Sequence, residues 1–270
     1  MVRVVRKLTG LLGNIFLNRS LLVSLAVKDF KRRFAGSYFG TVWGFVQPLL
    51  TVLIYWLVFQ FGFRSGEVRD APFILWFMCG IIPWLFVSEA ISVSANSLLE
   101  YSYLVKKVVF NVNILPLVKI GSSFIIHICF IALLLVVAIF MGYWPSIKTL
   151  QLLYYCACSV LLVFGLSLIT SSVTVFFRDM NQIISIVLLA GMWGTPIAWN
   201  PEQFTPGVQM ILKLNPMYYI VEGYRDAIIG GAWFWQKYMQ TTYFWLLTLF
   251  LLLVGAVVFD RLKPHFADVL

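Results

Sequence analysis

Two ionisable residues of this 270-residue chain, Glu89 and Lys119, sit within segments otherwise suited to hydrocarbon. A charge at the centre of a bilayer costs roughly 2.5–3.5 kcal/mol on insertion scales, so each asks for a partner, a wet cavity or a role in transport. Lys119 can snorkel to an interface, and Glu89 can face an inner cavity or pair with it; the alternative is a charged pathway for a substrate or a coupled ion. Other chemistry has little material. The two histidines are His127, within an apolar run, and His265, near the C-terminus, and His127 reads as a polar contact in helix packing. Cys79, Cys129, Cys156 and Cys158 all lie in apolar stretches without metal-ligand spacing and read as small buried hydrophobes. No glycine is followed by lysine, so the phosphate-cradling G-x-x-x-x-G-K-[ST] loop is missing. By that route the chain is not itself an ATPase, no catalytic set is evident, and nothing implies a cofactor or metal.

The densest charge is basic. Over residues 21–34, Leu22, Val23, Ala26, Val27, Phe30 and Phe34 fall on one helical arc, with Ser24, Lys28, Lys31 and Arg32 opposite, while Asp29 and Arg33 blur the boundary. Such a helix lies in a membrane interface with its cations near anionic headgroups, or docks on another part of the protein.

Six stretches contain no Asp, Glu, Lys or Arg: 34–63, 71–88, 120–147, 149–177, 180–201 and 238–259. A hydrocarbon core about 30 Å thick needs roughly 20 apolar residues per helix, so these predict six spans. With 61% hydrophobic and 11% charged residues and a mean hydropathy of +0.91, the composition is far from that of soluble domains. The net charge of +9 reads as membrane topology rather than nucleic-acid binding. Thirteen Lys and Arg fall on the side of the N-terminus and six on the other, with Lys119 inside a span, so both termini are expected in the cytoplasm. The apolar stretch 8–17 is short and lacks a small-residue cleavage site, so no removed signal peptide is expected.

The expected layout is a single transmembrane domain: a cytoplasmic segment over 1–37, spans one to five within 38–199, an external segment over 200–237, span six over 238–260 and a tail over 261–270. The second span, 72–95, contains Pro83 and is expected to break there. In the external segment, Asn215 reads as a helix cap, Pro216 as the first helical residue and Gly230-Gly231 as the stop. That helix is too short and charged to span, so it lies on the outer surface or dips into a protein-lined cavity. Tyr55, Phe59 and Phe63 form a stripe beside Trp56, suited to packing or to sugar rings.

The order of features resembles the membrane subunit of type-2 ABC exporters of lipid-linked polysaccharide, the permeases for O-antigen, capsule and wall teichoic acid. The resemblance rests on the basic helix followed by Gly36 to Trp43 and Gln47-Pro48, then Gly80-Ile81-Ile82-Pro83-Trp84, Ile114-Leu115-Pro116-Leu117, Phe177-Arg178-Asp179, Asn215-Pro216 and Gly223-Tyr224-Arg225. Where that family often has Phe-Pro in the internal loop, this chain has Phe110-Asn111. The resemblance implies an all-α, multi-pass protein of the bacterial inner membrane, acting as a homodimer with two cytoplasmic ATPase subunits. It further implies ATPase contacts through the N-terminal helix and the loop after span two, with Glu100, Lys106, Lys107, Arg178 and Asp179 as candidates. Asn215, Pro216, Tyr224 and Arg225 would belong to an external gate. Lys28, Lys31, Arg32 and Arg33 would meet the lipid phosphate of the glycan, and Tyr55, Trp56, Phe59 and Glu89 would line the channel. Two rivals are an ion-coupled transporter using Glu89 and Lys119, for which inverted repeats are expected and none is visible, and a membrane-embedded transferase, for which the carboxylates are too scattered.

Overall fold

The computed structural model describes residues 19–36, 38–62, 66–106 and 112–270. Arg3, Arg6, Lys7, Ser37, Phe63, Arg64, Lys107 and the Phe110-Asn111 pair lie outside the described residues. The described chain is built of helices, with one isolated bridge between Val68 and Ala71. In order these are α1 (Arg19–Arg33), α2 (Trp43–Leu57, prolonged by a π turn Val58–Gly62), α3 (Phe73–Ala95), the short α4 (Ser97–Glu100) and α5 (Ser102–Val105), and α6 (Leu115–Phe140). Then follow α7 (Gln151–Phe176), α8 (Met180–Trp193), α9 (Pro206–Leu212), α10 (Pro216–Arg225, continued by a π turn Asp226–Gly230), α11 (Tyr238–Leu262) and α12 (Phe266–Val269).

Five segments, built on α2, α3, α6, α7 and α11, are long and apolar enough to cross a bilayer. The fifth expected span is the exception. Its helix α8 has 14 residues, a length of about 21 Å at 1.5 Å per residue. It ends at Trp193 because Pro196 has no N–H to donate and biases Thr195 away from helical geometry. Thr195 instead bonds back to the Gly191 carbonyl at 2.7 Å.

The core is α3, which is apolar and buried along most of its length, with Ser88, Glu89 and Ser92 facing a groove near its end. It runs unbroken through Pro83, contrary to the expected break. Proline is tolerated in such helices where neighbours satisfy the freed backbone groups. Helices α6, α7 and α10 pack around it. Helix α1 lies along α6, and Gly121 allows the approach, since a Cβ there would stand 3.0 Å from that of Ala26. Helices α7 and α11 make the most extensive contact, through Gly165 and Gly255. Small residues at such crossings let backbones approach closely.

The bundle has two polar ends. One, here the near end, gathers α1, α4, α5, the turn at Arg178-Asp179 and α12. The far end gathers the turn at Val68–Ala71, the α6–α7 connection and residues 194–237. A lysine hydrogen bond from Lys148 to the Gly231 carbonyl (2.7 Å) and a Tyr143 bond to the Asp70 carbonyl (3.0 Å) tie the far-end loops together. By contrast α2 and α8 leave wide apolar faces uncovered, with Leu50, Ile54 and Leu57 on one and Ile186, Val187 and Leu189 on the other.

The α7–α11 crossing yields a stability test. A Cβ on Gly255 would lie 2.6 Å from the Gly165 carbonyl oxygen, so the helices must separate. Gly255→Ala is expected to destabilise by about 1–3 kcal/mol, read as a lower melting temperature of the detergent-solubilised protein. An unchanged melting temperature would contradict this packing.

Candidate functional site

At the near end, an ion-pair cluster fastens α1 to the bundle. Asp29 is buried, and its Oδ1 accepts from Lys119 Nζ at 2.8 Å and from the Tyr101 hydroxyl at 2.6 Å. Lys119 Nζ also donates to Glu100 Oε2 at 2.6 Å. Burial and then the Asp29 carboxylate push the Tyr101 hydroxyl pKa up, so it stays a donor. Beside this cluster Arg33 pairs with Glu89, whose Oε1 also accepts from Ser123 at 3.3 Å. Glu89 and Lys119 are thus not each other's partners: each is paired with its own residue of α1, Glu89 with Arg33 and Lys119 with Asp29. Arg33 and Glu89 face a groove of about 260 Å³ between α1, α2 and α3, lined also by Trp43, Gln47, Thr51 and Ser92.

At the far end a chain of four charges runs inward. Glu202 accepts from Arg69 Nε at 2.8 Å, Arg69 Nη1 donates to Glu222 Oε2 at 2.7 Å, and Arg225 Nη1 donates to Glu222 Oε1 at 2.7 Å. Arg225 is buried; it donates to the carbonyls of Pro196 (2.7 Å), Ile197 (3.2 Å) and Trp76 (3.4 Å), and its guanidinium stacks 3.4 Å from the Trp76 ring centroid. The Pro196 and Ile197 carbonyls belong to the segment where the backbone leaves helical form after α8, and the Trp76 carbonyl to the first turn of α3. Arginine's planar fork suits such a site, because several fixed acceptors are met by one rigid group. Gly80 leaves the room: a Cβ there would meet Arg225 Nη2 at 3.1 Å. Arg69 itself adopts a left-handed conformation, with φ of 52°. Burial alone would raise the Glu222 pKa, but Arg225 and Arg69 outweigh it and hold the carboxyl below its usual range. Burial lowers the Arg225 pKa against the pull of Glu222.

The sequence candidates distribute unevenly over these sites. Lys28, Lys31 and Arg32 are exposed along α1, whereas Arg33 is engaged by Glu89. Tyr55 and Phe59 turn toward α3, against Phe77 and Phe73, with ring centroids 6.2 and 5.8 Å apart. Trp56 contacts Phe61 edge-on. Tyr55 and Phe59, the described residues of the stripe, thus pack against α3. Lys106, Arg178 and Asp179 are exposed at the near end; Glu100 is part-exposed but committed to Lys119. Asn215 caps α10 through the Met217 N–H at 2.9 Å and also donates to Thr195 Oγ1 at 2.8 Å, with Pro216 at the first turn. Tyr224 and Arg225 are in the core, so α10 takes the inserted position, not the surface one. The Tyr224 hydroxyl meets His127 Nε2 at 2.8 Å and Cys156 Sγ at 3.2 Å, which makes His127 the packing contact expected of it. Among the described residues no three His, Cys, Asp or Glu side chains converge as metal ligands would.

Asp29, Tyr101, Arg69 and Glu222 were missed as site residues. An acid on the apolar arc of α1 and an unmatched lysine in a span were together the signal for the first pair. The i,i+3 spacing of Glu222 and Arg225 was the signal for the far-end chain.

A bundle of membrane-length apolar helices, closed at both ends by ion-pair clusters, defines a multi-pass membrane protein. More specifically, the chain belongs to the ABC-2 type transporter family, whose description matches residues 20–229. It is 27% identical over 260 residues to an O-antigen export system permease protein of Klebsiella pneumoniae, covering 96% of this chain and 97% of that one. A protein of the same name from Myxococcus xanthus is 27% identical over 227 residues, covering 83% and 84%. A capsule polysaccharide export inner-membrane protein of Neisseria meningitidis is 24% identical over 261 residues, covering 94% and 95%.

Two outcomes follow from the ion pairs. Asp29→Asn leaves the buried Lys119 ammonium with Glu100 alone as its counter-charge and is expected to destabilise by about 2 kcal/mol, with partial recovery in an Asp29→Asn/Lys119→Met double variant, read by thermal unfolding in detergent. Equal losses in the single and double variants would argue against the pair. Because the folded pKa of Glu222 is depressed, its contribution is complete above the unfolded value of about 4.3 and lost as pH falls through the lower folded value. Melting temperature should therefore drop on acidification below about pH 4, with a flatter acid slope in Glu222→Gln.

Proposed function

We propose that this chain is the permease subunit of an ATP-driven exporter, in which two copies enclose a path for a polyprenyl-phosphate-linked polysaccharide across the inner membrane. The observation that carries this reading is the similarity, over nearly the whole length, to permeases named for O-antigen and capsule export. Energy comes from two copies of a separate cytoplasmic ATPase, in keeping with the missing phosphate-binding loop. The near end faces the cytoplasm, in line with the excess of Lys and Arg there. The uncovered apolar faces of α2 and α8 meet lipid or the second copy, and an isologous pair gives each face a like partner.

In this orientation α1 presents Lys28, Lys31 and Arg32 to the cytoplasmic leaflet, while Asp29 holds its opposite side to α6. The exposed cations attract the lipid phosphate, and the groove beside Arg33 and Glu89 receives it. Arg178, Asp179 and Lys106, exposed at the same end, are the contacts for the ATPase. The ion-coupled alternative has less support, since Glu89 and Lys119 are each engaged by another element.

Each lysine near an anionic surface is worth about 1 kcal/mol. A Lys28→Gln/Lys31→Gln variant is therefore expected to raise the half-saturating concentration of lipid-linked glycan for ATPase stimulation by roughly thirtyfold, with dimer assembly intact. Arg178→Glu should leave glycan binding unchanged and uncouple hydrolysis from export. Unchanged stimulation in the first variant, or normal coupling in the second, would remove the role assigned to those residues.

A further inference from the structure

The far end holds a second groove, of about 400 Å³, that the transport path just described does not use. It opens between the end of α9, the side of α10 that carries Tyr218 and Glu222, and the first turn of α11. That size falls within the roughly 300–1,000 Å³ of small-ligand clefts, and is large for a single inorganic ion.

Its lining is rich in hydrogen-bond donors. On the floor, both Glu222 oxygens are taken, one by Arg69 and one by Arg225, so the carboxylate has no strong claim on a further cation. Arg69 donates through Nε and Nη1 and keeps Nη2 for another acceptor. Tyr218 lies one helical turn before Glu222, and its hydroxyl has no hydrogen-bond partner among the described residues. Gln236 and Gln240 stand four residues apart at the start of α11. The Oε1 of Gln236 accepts from the Trp233 N–H at 2.8 Å, which turns its amide nitrogen outward as a donor; the Gln240 amide has no partner among the described residues. Lys237 is neutralised by Asp226. Lys213, at the end of α9, is exposed, lines the groove and has no acid beside it among the described residues. The exposed ring of Tyr238 completes one wall.

We propose that this groove is a binding subsite for an acidic saccharide unit, one bearing a carboxylate on a sugar ring. The unpaired ammonium of Lys213 and the free edge of the Arg69 guanidinium match the carboxylate. The Gln240 amide, both donor and acceptor, and the Tyr218 hydroxyl match ring hydroxyls, and the Tyr238 ring offers a face for the sugar's C–H side. The ion pair beneath is fixed by Arg225, so these donors are held in place before the ligand arrives. A saccharide at this end would sit where a glycan leaves the bundle, and in that respect the inference rests on the export reading.

The test uses the full chain in zwitterionic-lipid nanodiscs with its ATPase partner, titrated with trigalacturonate, maltotriose and inorganic phosphate and followed by saturation-transfer NMR and calorimetry. Trigalacturonate is expected to bind, with maltotriose and phosphate each at least about tenfold weaker. Lys213→Gln and Gln240→Ala should each weaken trigalacturonate by roughly tenfold, while Lys263→Gln, at the other end, changes nothing. Absence of trigalacturonate binding, equal binding of maltotriose, equal binding of phosphate, or indifference to both variants would each overturn the proposal. ATPase stimulation by lipid-linked glycan in the same preparation separates the two readings. Stimulation without trigalacturonate binding sinks the subsite and spares the exporter; trigalacturonate binding without any coupled hydrolysis does the reverse.

Discussion

A charge in a low-dielectric helix bundle must be paired, and both ends of this protein are organised by that requirement. At the near end the Lys119 ammonium of α6 is met by Glu100 and by the buried Asp29, and the Asp29 pair fastens α1 against the bundle. At the far end Glu222 draws in Arg69 from one loop and Arg225 from its own helix, and Arg225 then satisfies carbonyls left open where α8 ends. In each case one interaction meets two needs: it removes an unpaired charge and joins one element to another.

Between these clamps the bundle relies on close contact rather than polarity. Helix α3 is buried along most of its length, so its order comes chiefly from the aromatic and aliphatic side chains of the helices around it. Glycines set the closest approaches: Gly165 with Gly255, Gly121 beside Ala26, and Gly223 under the Tyr155 ring, where a Cβ would lie 2.2 Å from the ring. Water does not compete inside such a bundle, and apolar chains gain little from exchanging lipid for protein neighbours, so packing and satisfied polar groups carry specificity. The faces of α2 and α8 that lack this packing are the ones that the proposed pairing would cover.

Much of the architecture was legible because its cause is local. A run without charge, long enough to cross hydrocarbon, reports a span from composition alone, and Asn215-Pro216 reports a helix start from capping chemistry. Local reasoning fell short in two places. Helix α3 is continuous through Pro83, packed among its neighbours, and α8 stops at Trp193, ahead of Pro196, although the charge-free run continues to Pro201. The aromatic stripe of Tyr55 and Phe59 is periodic in the sequence, but periodicity does not say whether a face meets another helix or an open path; Phe73 and Phe77 decide it here.

By itself, then, the sequence determined the solvent, the approximate number and order of the apolar helices, the basic face of α1 and the family resemblance, since hydropathy and spacing follow from side-chain chemistry along the chain. Only the tertiary structure decided the partners. That Lys119 meets Asp29 rather than Glu89, that Arg225 is buried against Trp76 rather than exposed at an outer mouth, and that Lys213 faces a groove of donors all depend on contacts between residues far apart in the chain. The reason is physical: a charge's need for a counter-charge is local, but the position of that counter-charge is fixed only when the helices pack.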